Sequence, residues 1–424
     1  MSTTFQSMHY RSFRNWFIAL ILAASAQWMQ RVAQDWLVLT VLTDHSSFHV
    51  GIVTALQFLP VLLLGPYAGV VVDRVARKKI IQITQCAYAV FGLLLGMMVY
   101  TGHASLPLVY LLASCGGVAS AFDSPARQAF VSELVPSESI TNAVALNSVA
   151  FNIARLIGPA ISGLVIDWVG EAWVFLINFW IFAIAVAFTS SIRHRDLIPR
   201  TPVPRQKGQL REGLAYVRGR PDLLLIIGVV GFASAMALNQ QLTTALMATT
   251  VFHKSAGQYG ILGTLIAVGS LSGALFAARR KQPRLRLVIG ATIALGAVGT
   301  IMAFMPTYTS YALMCIPNGF AMITMLTAAN ATVQTTTDEH MRGRVLALYG
   351  MVVLGTTPIG APLVGWIGEV IDARAAIWVG TLSTMIVAMI AGAWSMRRWN
   401  VSVHLHAGRH PIEIDNPNAH HDGV

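Results

Sequence analysis

Apolar runs of about 18 to 25 residues recur along almost the whole chain, each long enough to cross a hydrocarbon core of ~30 Å. Of 424 residues 55% are hydrophobic and 11% charged, where soluble domains carry about a quarter charged. A soluble α/β enzyme does not repeat such runs a dozen times. The expected fold class is an all-α membrane protein with twelve transmembrane helices, in two six-helix pseudo-repeated bundles. The spans fall near 15–42, 49–72, 80–101, 106–130, 140–167, 172–192, 222–251, 257–278, 286–305, 309–334, 345–369 and 375–396. Residues 1–15 are polar and lead straight into the first run without a small-residue cleavage site, so a cleaved signal peptide is not expected.

A net charge of +11 could suggest nucleic acid as a partner, but its placement argues against that. About 24 of the 29 Lys and Arg fall at the termini or in even-numbered loops, and only Lys254 and Arg374 fall in odd-numbered ones. Cytoplasmic loops carry the excess of bases, so both termini are expected in the cytoplasm, as an even number of spans requires. The expected location is the cell (plasma or inner) membrane. Cys86, Cys115 and Cys315 lie in apolar segments and read as small buried hydrophobes. No metal site or cofactor is expected. Neither a phosphate loop of the G-x-x-x-x-G-K-[ST] type nor an H-E-x-x-H or G-x-S-x-G constellation is present; ATP hydrolysis by this chain is not expected, nor is enzymatic activity.

The longest polar interruption, RHRDLIPRTPVPRQKGQLREGLAYVRGRPD from Arg193, divides the chain six spans from six. The expected organisation is a bundle at 1–192, a cytoplasmic linker at 193–221 with an amphipathic helix around Leu210 to Val217, a second bundle at 222–398, and a disordered tail at 399–424. The halves resemble each other at a shift of about 202 residues, which places Gly158 on Gly360 and Gly163 on Gly365. A parallel six-helix repeat is the trace of a transporter that rocks two bundles about a midplane site.

Charge within hydrocarbon is costly, so it faces protein or water and marks function. Arg31 and Asp35 stand four apart, on one helical face of the first span. They form either an internal ion pair or a proton-titrating site centred on Asp35. Asp123 and Arg127 repeat the spacing near the basic end of the fourth span, as an intracellular gate or a second relay. Arg155 has no acid nearby in sequence. Either Asp35 or Asp123 neutralises it across the bundle, or it serves an anionic substrate. The amides Gln27, Gln34, Gln57, Asn147, Asn239, Gln240, Asn330 and Gln334 either glue helices or line a substrate cavity.

GVVVDRVARKK (Gly69 to Lys79) packs one acid and four bases between two apolar runs. It resembles the loop 2–3 signature of the major facilitator superfamily, with Gly69, Asp73, Arg74, Arg77 and Lys78 in place and Ala76 at the second glycine. The counterpart loop from Gly273 has Ala277 where Asp73 stands. RLIGPAISG resembles the core of the superfamily's antiporter signature through Gly158, Pro159 and Gly163, with Ala145, Ala154 and Ser162 at other glycine positions. The strings WMQRVAQDWLVL, AFDSPARQAFVSELVP, ALNSVAFNIARLIGP and MRGRVLALYG resemble the enterobactin-exporter-like, or transmembrane secretion effector, branch. The arginine signature of drug–proton antiporters is missing near Ala113.

The resemblance implies a monomeric secondary transporter exporting hydrophobic or amphipathic small molecules against a proton gradient. The loop 2–3 residues would set its conformational balance, and Gly158, Pro159 and Gly163 would form a hinge. Drugs, macrolides and siderophore-like compounds are the implied substrates, with protons and the lipid bilayer the other partners. A metabolite importer or uncoupled facilitator is one alternative, and a non-transporting scaffold or receptor another.

Overall fold

A computed structural model describes residues 3–198, 209–278, 285–398, 402–405 and 412–415. A short 3-10 helix, Thr3–His9, precedes α1 (Arg11–Leu37), which runs on into a π turn at Val38–Leu42. Then come α2 (Ser47–Arg74), α3 (Arg77–Tyr100), α4 (Leu106–Leu134), α5 (Ile140–Val169) and α6 (Glu171–Ser191). The linker helix is α7 (Gln209–Arg218), and beyond it lie α8 (Pro221–Met236) and α9 (Gln240–Leu246), with a second π turn at Met247–Val251. The series ends with α10 (Ala256–Ala278), α11 (Leu285–Ala303), α12 (Tyr308–Thr336), α13 (Arg342–Gly355), α14 (Thr357–Val370) and α15 (Ala373–Arg398).

Among the described residues eleven segments are long and apolar enough to cross a membrane. The difference from the expected twelve is α1, whose Gln27, Gln30, Arg31, Gln34 and Asp35 lower its hydropathy. Fifteen of its 27 residues are buried, so protein surrounds much of its polar sequence.

Two spans expected to be continuous are broken. Between α8 and α9 the backbone unwinds, with Asn239 at φ −83°, ψ 42°, and the Asn239 amide donates back to the Ala235 carbonyl at 2.6 Å. Between α13 and α14, Pro358 stands in the first turn of the new helix, where it lacks the N–H that would continue the ladder. Discontinuous helices of this kind leave polar backbone where it can line a cavity.

Helices α1 to α6 pack among themselves, chiefly α1 with α5 and α6, α2 with α4, and α3 with α6. In the second half α10 packs on α12, and α11 on α12 and α15. The halves meet along α5 with α10 and α2 with α14. Glycines permit both meetings. A β-carbon at Gly163 would run into the Ala256 carbonyl oxygen, and one at Gly365 into that of Ser47. Gly260 faces the Pro159 carbonyl as Gly51 faces that of Ala361. Within the halves, Gly158 presses on Ser25 and Trp28 of α1, and Gly360 on Ala235 of α8. The 202-residue register read from the sequence thus holds contact for contact in α5 and α14. The end where Ser47 and Ala256 lie is the closed end; the opposite, basic end carries residues 74–79, 193–198, 209–220 and 342–344.

Helix α7 forms where the linker pattern places it, and it docks on the second half. Arg344 pairs with Glu212, and the Asp338 amide donates to the Tyr216 hydroxyl at 3.3 Å. Arg220 holds Asp222 through two bonds of 2.9 and 2.7 Å and reaches the Thr336 carbonyl at 3.2 Å. The hydrogen-bonded carboxylate raises the guanidinium's pKa above its ordinary value.

Two expectations change. Cys315 is buried, but Cys115 is half-buried and Cys86 exposed, so only one cysteine is the core residue anticipated. In the tail expected to be disordered, strands β1 (Ser402–Leu405) and β2 (Ile412–Asp415) pair antiparallel, with Ser402 opposite Asp415.

Candidate functional site

The signature loop is held together by its bases. α2 ends at Arg74, and Arg74 and Asp73 stand exposed. Arg77 donates to the Ala129 carbonyl at 2.9 Å and pairs with Glu133 at 3.1 Å, both on α4. Lys78 reaches the Ser190 and Ile192 carbonyls at 3.1 and 2.5 Å, at the end of α6. A lysine there also suits a helix C-terminus, whose carbonyls are unpaired. These bonds clamp the start of α3 to α4 and α6 within one half. The counterpart bases at 279–284 lie outside the described residues.

Asp123 and Arg127 form a buried ion pair at 2.6 Å, with the Thr84 hydroxyl donating to the other carboxylate oxygen at 2.7 Å. All three belong to α3 and α4, so this pair does not bridge the halves. Asp123 is thereby occupied and does not neutralise Arg155.

Asp35 behaves differently. It is buried near the end of α1, and the Tyr259 hydroxyl of α10 lies 3.4 Å from its carboxylate. Trp36 stacks on the same tyrosine at 6.2 Å between ring centroids. The acid therefore sits on the seam between the halves. Arg31 and Arg155 form no close salt bridge among the described residues, though Arg31 remains within electrostatic reach of Asp35 one helical turn away. Both arginines turn to aromatic rings. Arg31 lies over Trp28 at 5.4 Å and Phe58 at 5.2 Å, and Arg155 lies over Trp28 at 5.6 Å. Phe151 meets Trp28 edge-on at 6.3 Å. Cation–π contact offsets part of the cost of holding a guanidinium away from water, but it leaves the hydrogen-bonding forks available to a ligand.

A cavity opens beside Arg31, lined by Gln27, Gln34 and Gln57 together with Gln30, Tyr88 and Ser120. Gln57 donates to Gln34 at 3.0 Å, tying α2 to α1. Asn147 instead accepts from the Trp16 indole at 3.1 Å and serves as glue between α1 and α5. Asn330 and Gln334 bond to each other at 2.5 Å on an exposed face of α12. Gln240 is buried with both amide atoms unpartnered, and the Asn239 amide oxygen is likewise unpartnered. These two residues stand at the break after α8, in the second half, where a buried amide without a partner is costly unless something fills the place. The structure thus joins Gln27, Arg31, Gln34 and Gln57 in one cavity and puts Arg155 near it through Trp28, while Asn147, Asp123 and Arg127 are not part of its lining. Tyr259 was not singled out in the sequence, where it is one tyrosine in an apolar span.

This architecture is that of a major facilitator transporter. A mutant of the nucleoside transporter NupG matches with a TM-score of 0.73 at 13% identity, over 90% of this chain and 99% of that one. A bacterial homolog of the human lysosomal transporter Spinster, in an inward-facing and occupied conformation, matches with a TM-score of 0.67 at 15% identity, over 92% and 96%. The chain belongs to the transmembrane secretion effector family, whose profile matches residues 2–419. It is similar to a staphyloferrin A transporter of Staphylococcus aureus, 24% identical over 391 residues, covering 88% of this chain and 94% of the relative. It is also similar to the enterobactin exporter EntS of Salmonella choleraesuis (26%, covering 82% and 83%) and the multidrug efflux pump Tap of Mycobacterium tuberculosis (25%, covering 88% and 91%). The protein is a multi-pass membrane transporter of the efflux type and not an enzyme.

Proposed function

We propose that the protein is a proton-coupled exporter of amphipathic small molecules, working by alternating access in the cell membrane. Helix α1 serves as a twelfth span inside the bundle, the two halves are six spans each, and both termini are cytoplasmic. The bias of Lys and Arg toward the termini and even-numbered loops supports this orientation. The closed end then faces outward, and the cavity opens to the cytoplasm. The single observation that carries the reading is Asp35, a buried carboxylate on the seam between the halves, one helical turn from a cavity-lining arginine.

A substrate enters from the cytoplasm and lies against Trp28 and Phe58, with its polar or acidic group within reach of Arg31 and Arg155. The proton acts on a different contact, that between Asp35 and Tyr259. Outward opening separates α1 from α10 and exposes the acid to protons outside; closure returns it to the seam and releases the proton inward. The relatives' siderophore and drug substrates fit a wall that is aromatic and cationic together. One chain holds the whole cavity, so a monomer suffices.

Replacing either Arg31 or Arg155 by glutamine should raise KM for acid-bearing substrates about tenfold or more, the size expected when a charged hydrogen bond is lost. Neutral substrates of similar size should keep their KM, which initial-rate measurements would check.

The reading itself is tested by a panel of amphipathic compounds in proteoliposomes under an imposed pH gradient. The expected result is accumulation that collapses with a protonophore. Equilibration without accumulation, dissipating no proton gradient, would mean an uncoupled facilitator. If no compound moves or stabilises the protein, a scaffold or receptor role replaces transport.

A further inference from the structure

Two carboxylates outside the cavity occupy equivalent places in the two halves. Asp167, in the last turn of α5, accepts from the Ser255 hydroxyl at 2.7 Å and the Gly257 amide at 3.0 Å, at the start of α10. Glu369, in the last turn of α14, accepts from the Ser46 hydroxyl at 2.5 Å and the Phe48 amide at 3.2 Å, at the start of α2. The acids are 202 residues apart, the register of the internal repeat, and their donors are offset by 209 in both cases. Each acid therefore caps the N-terminus of a helix in the opposite half. A helix N-terminus has unpaired N–H groups and a positive dipole end, and a carboxylate satisfies both. Supplied from the other half, that cap also joins the halves. The glycine contacts beneath, Gly163 on Ala256 and Gly365 on Ser47, bring the backbones close enough for it.

We infer that Asp167 and Glu369 are paired latches that hold the closed end shut and so set how often it opens. They are positioning residues, acting on the gate without touching substrate. They rest on the same two-half architecture as the export reading but not on proton coupling or on any substrate. Both lie at the surface, where water competes for their bonds, so each latch is weak enough to break in every cycle. Because they sit on the two separate seams between the halves, opening must release both.

The test is a distance distribution across the closed end from spin labels at positions 44 and 371, with labels at 138 and 339 reporting the basic end. Cys86, Cys115 and Cys315 are replaced by alanine throughout. Asp167→Ala and Glu369→Ala should each raise the population open at the labelled end about three- to fivefold, as loss of a capping side chain does. Together they should raise it about 10- to 25-fold, since separated sites add. Asp167→Glu and Glu369→Asp should restore part of the closed population. Should the double variant fold poorly, Ser255→Ala removes one donor alone and should shift the population in the same direction by less. Unchanged distributions in the double variant, with only a lower melting temperature, would reduce both acids to structural caps and overturn the inference. So would a shift from one acid and none from the other. Distributions that shift as expected in a protein that accumulates no substrate would sink the export reading and leave the latches standing.

Discussion

A valine at Gly365 will keep the closed end from closing, and a valine at Gly163 will do the same on the other seam. At both positions the obstacle is a backbone carbonyl, of Ser47 or of Ala256, in the opposite half. A side chain could rotate away, but a helix backbone cannot move without moving the half that carries it. Overpacking of this sort costs about 1–3 kcal/mol. On a two-state equilibrium that is a shift of roughly 5- to 150-fold. Here it falls almost wholly on the state in which the seam is shut, so turnover should drop by a comparable factor while the protein remains folded. Gly228 and Gly290 provide the control, because a β-carbon at either meets nothing within 4 Å. Alanine at those two positions should leave transport and melting temperature unchanged. Initial rates together with thermal stability would check both sets; a fully active Gly365→Val protein would show that the seam opens and closes elsewhere.

Asparagine at Asp35 should abolish accumulation above equilibrium while leaving exchange of substrate down its own gradient. The amide keeps the size of the carboxyl group and can still accept from Tyr259, so the seam should hold. It cannot take up a proton and become neutral, so the step that ties the gradient to the conformational cycle is lost. For one-for-one exchange, a gradient of one pH unit sustains about tenfold accumulation, because one unit is about 1.4 kcal/mol. That tenfold is the signal that should vanish. Asparagine at Asp123 is the informative comparison. Asp123 is committed to Arg127 and Thr84 inside one half, so its loss should lower stability, leaving an unpaired buried arginine, yet leave coupling in whatever protein remains folded. Counterflow and gradient-driven uptake measured side by side would separate the two outcomes.

Much of the helical architecture was legible in the chain because hydrocarbon length is a strong one-dimensional signal. The register of the repeat was legible too: small residues recur where backbones meet, and Gly158, Gly163, Gly360 and Gly365 all make the contacts their spacing implies. The breaks in α8–α9 and α13–α14 were not read, since Asn239 and Pro358 were visible only as a polar residue and a proline in apolar runs. The site was legible in residue type and obscure in partnership. Arg31 and Asp35 share a helical face, but one turns to Trp28 and Phe58 and the other to Tyr259, 224 residues away in sequence. Which neighbour each meets depends on how neighbouring helices are rotated and packed, and no local pattern encodes that. Asp167 and Glu369 escaped for a different reason. Each is a lone acid at a helix end, an ordinary place for one, and only the 202-residue register sets the two side by side.

Coupling through Asp35 is the centre of the account, and simultaneous recording of internal pH and substrate flux in proteoliposomes tests it most directly. With a compound from the transported panel, each pulse of substrate should be matched by a proton pulse in the opposite direction. In Asp35→Asn the proton pulse should disappear while substrate still equilibrates. Substrate flux without any proton movement in the unaltered protein, or a proton pulse that survives in Asp35→Asn, would contradict it.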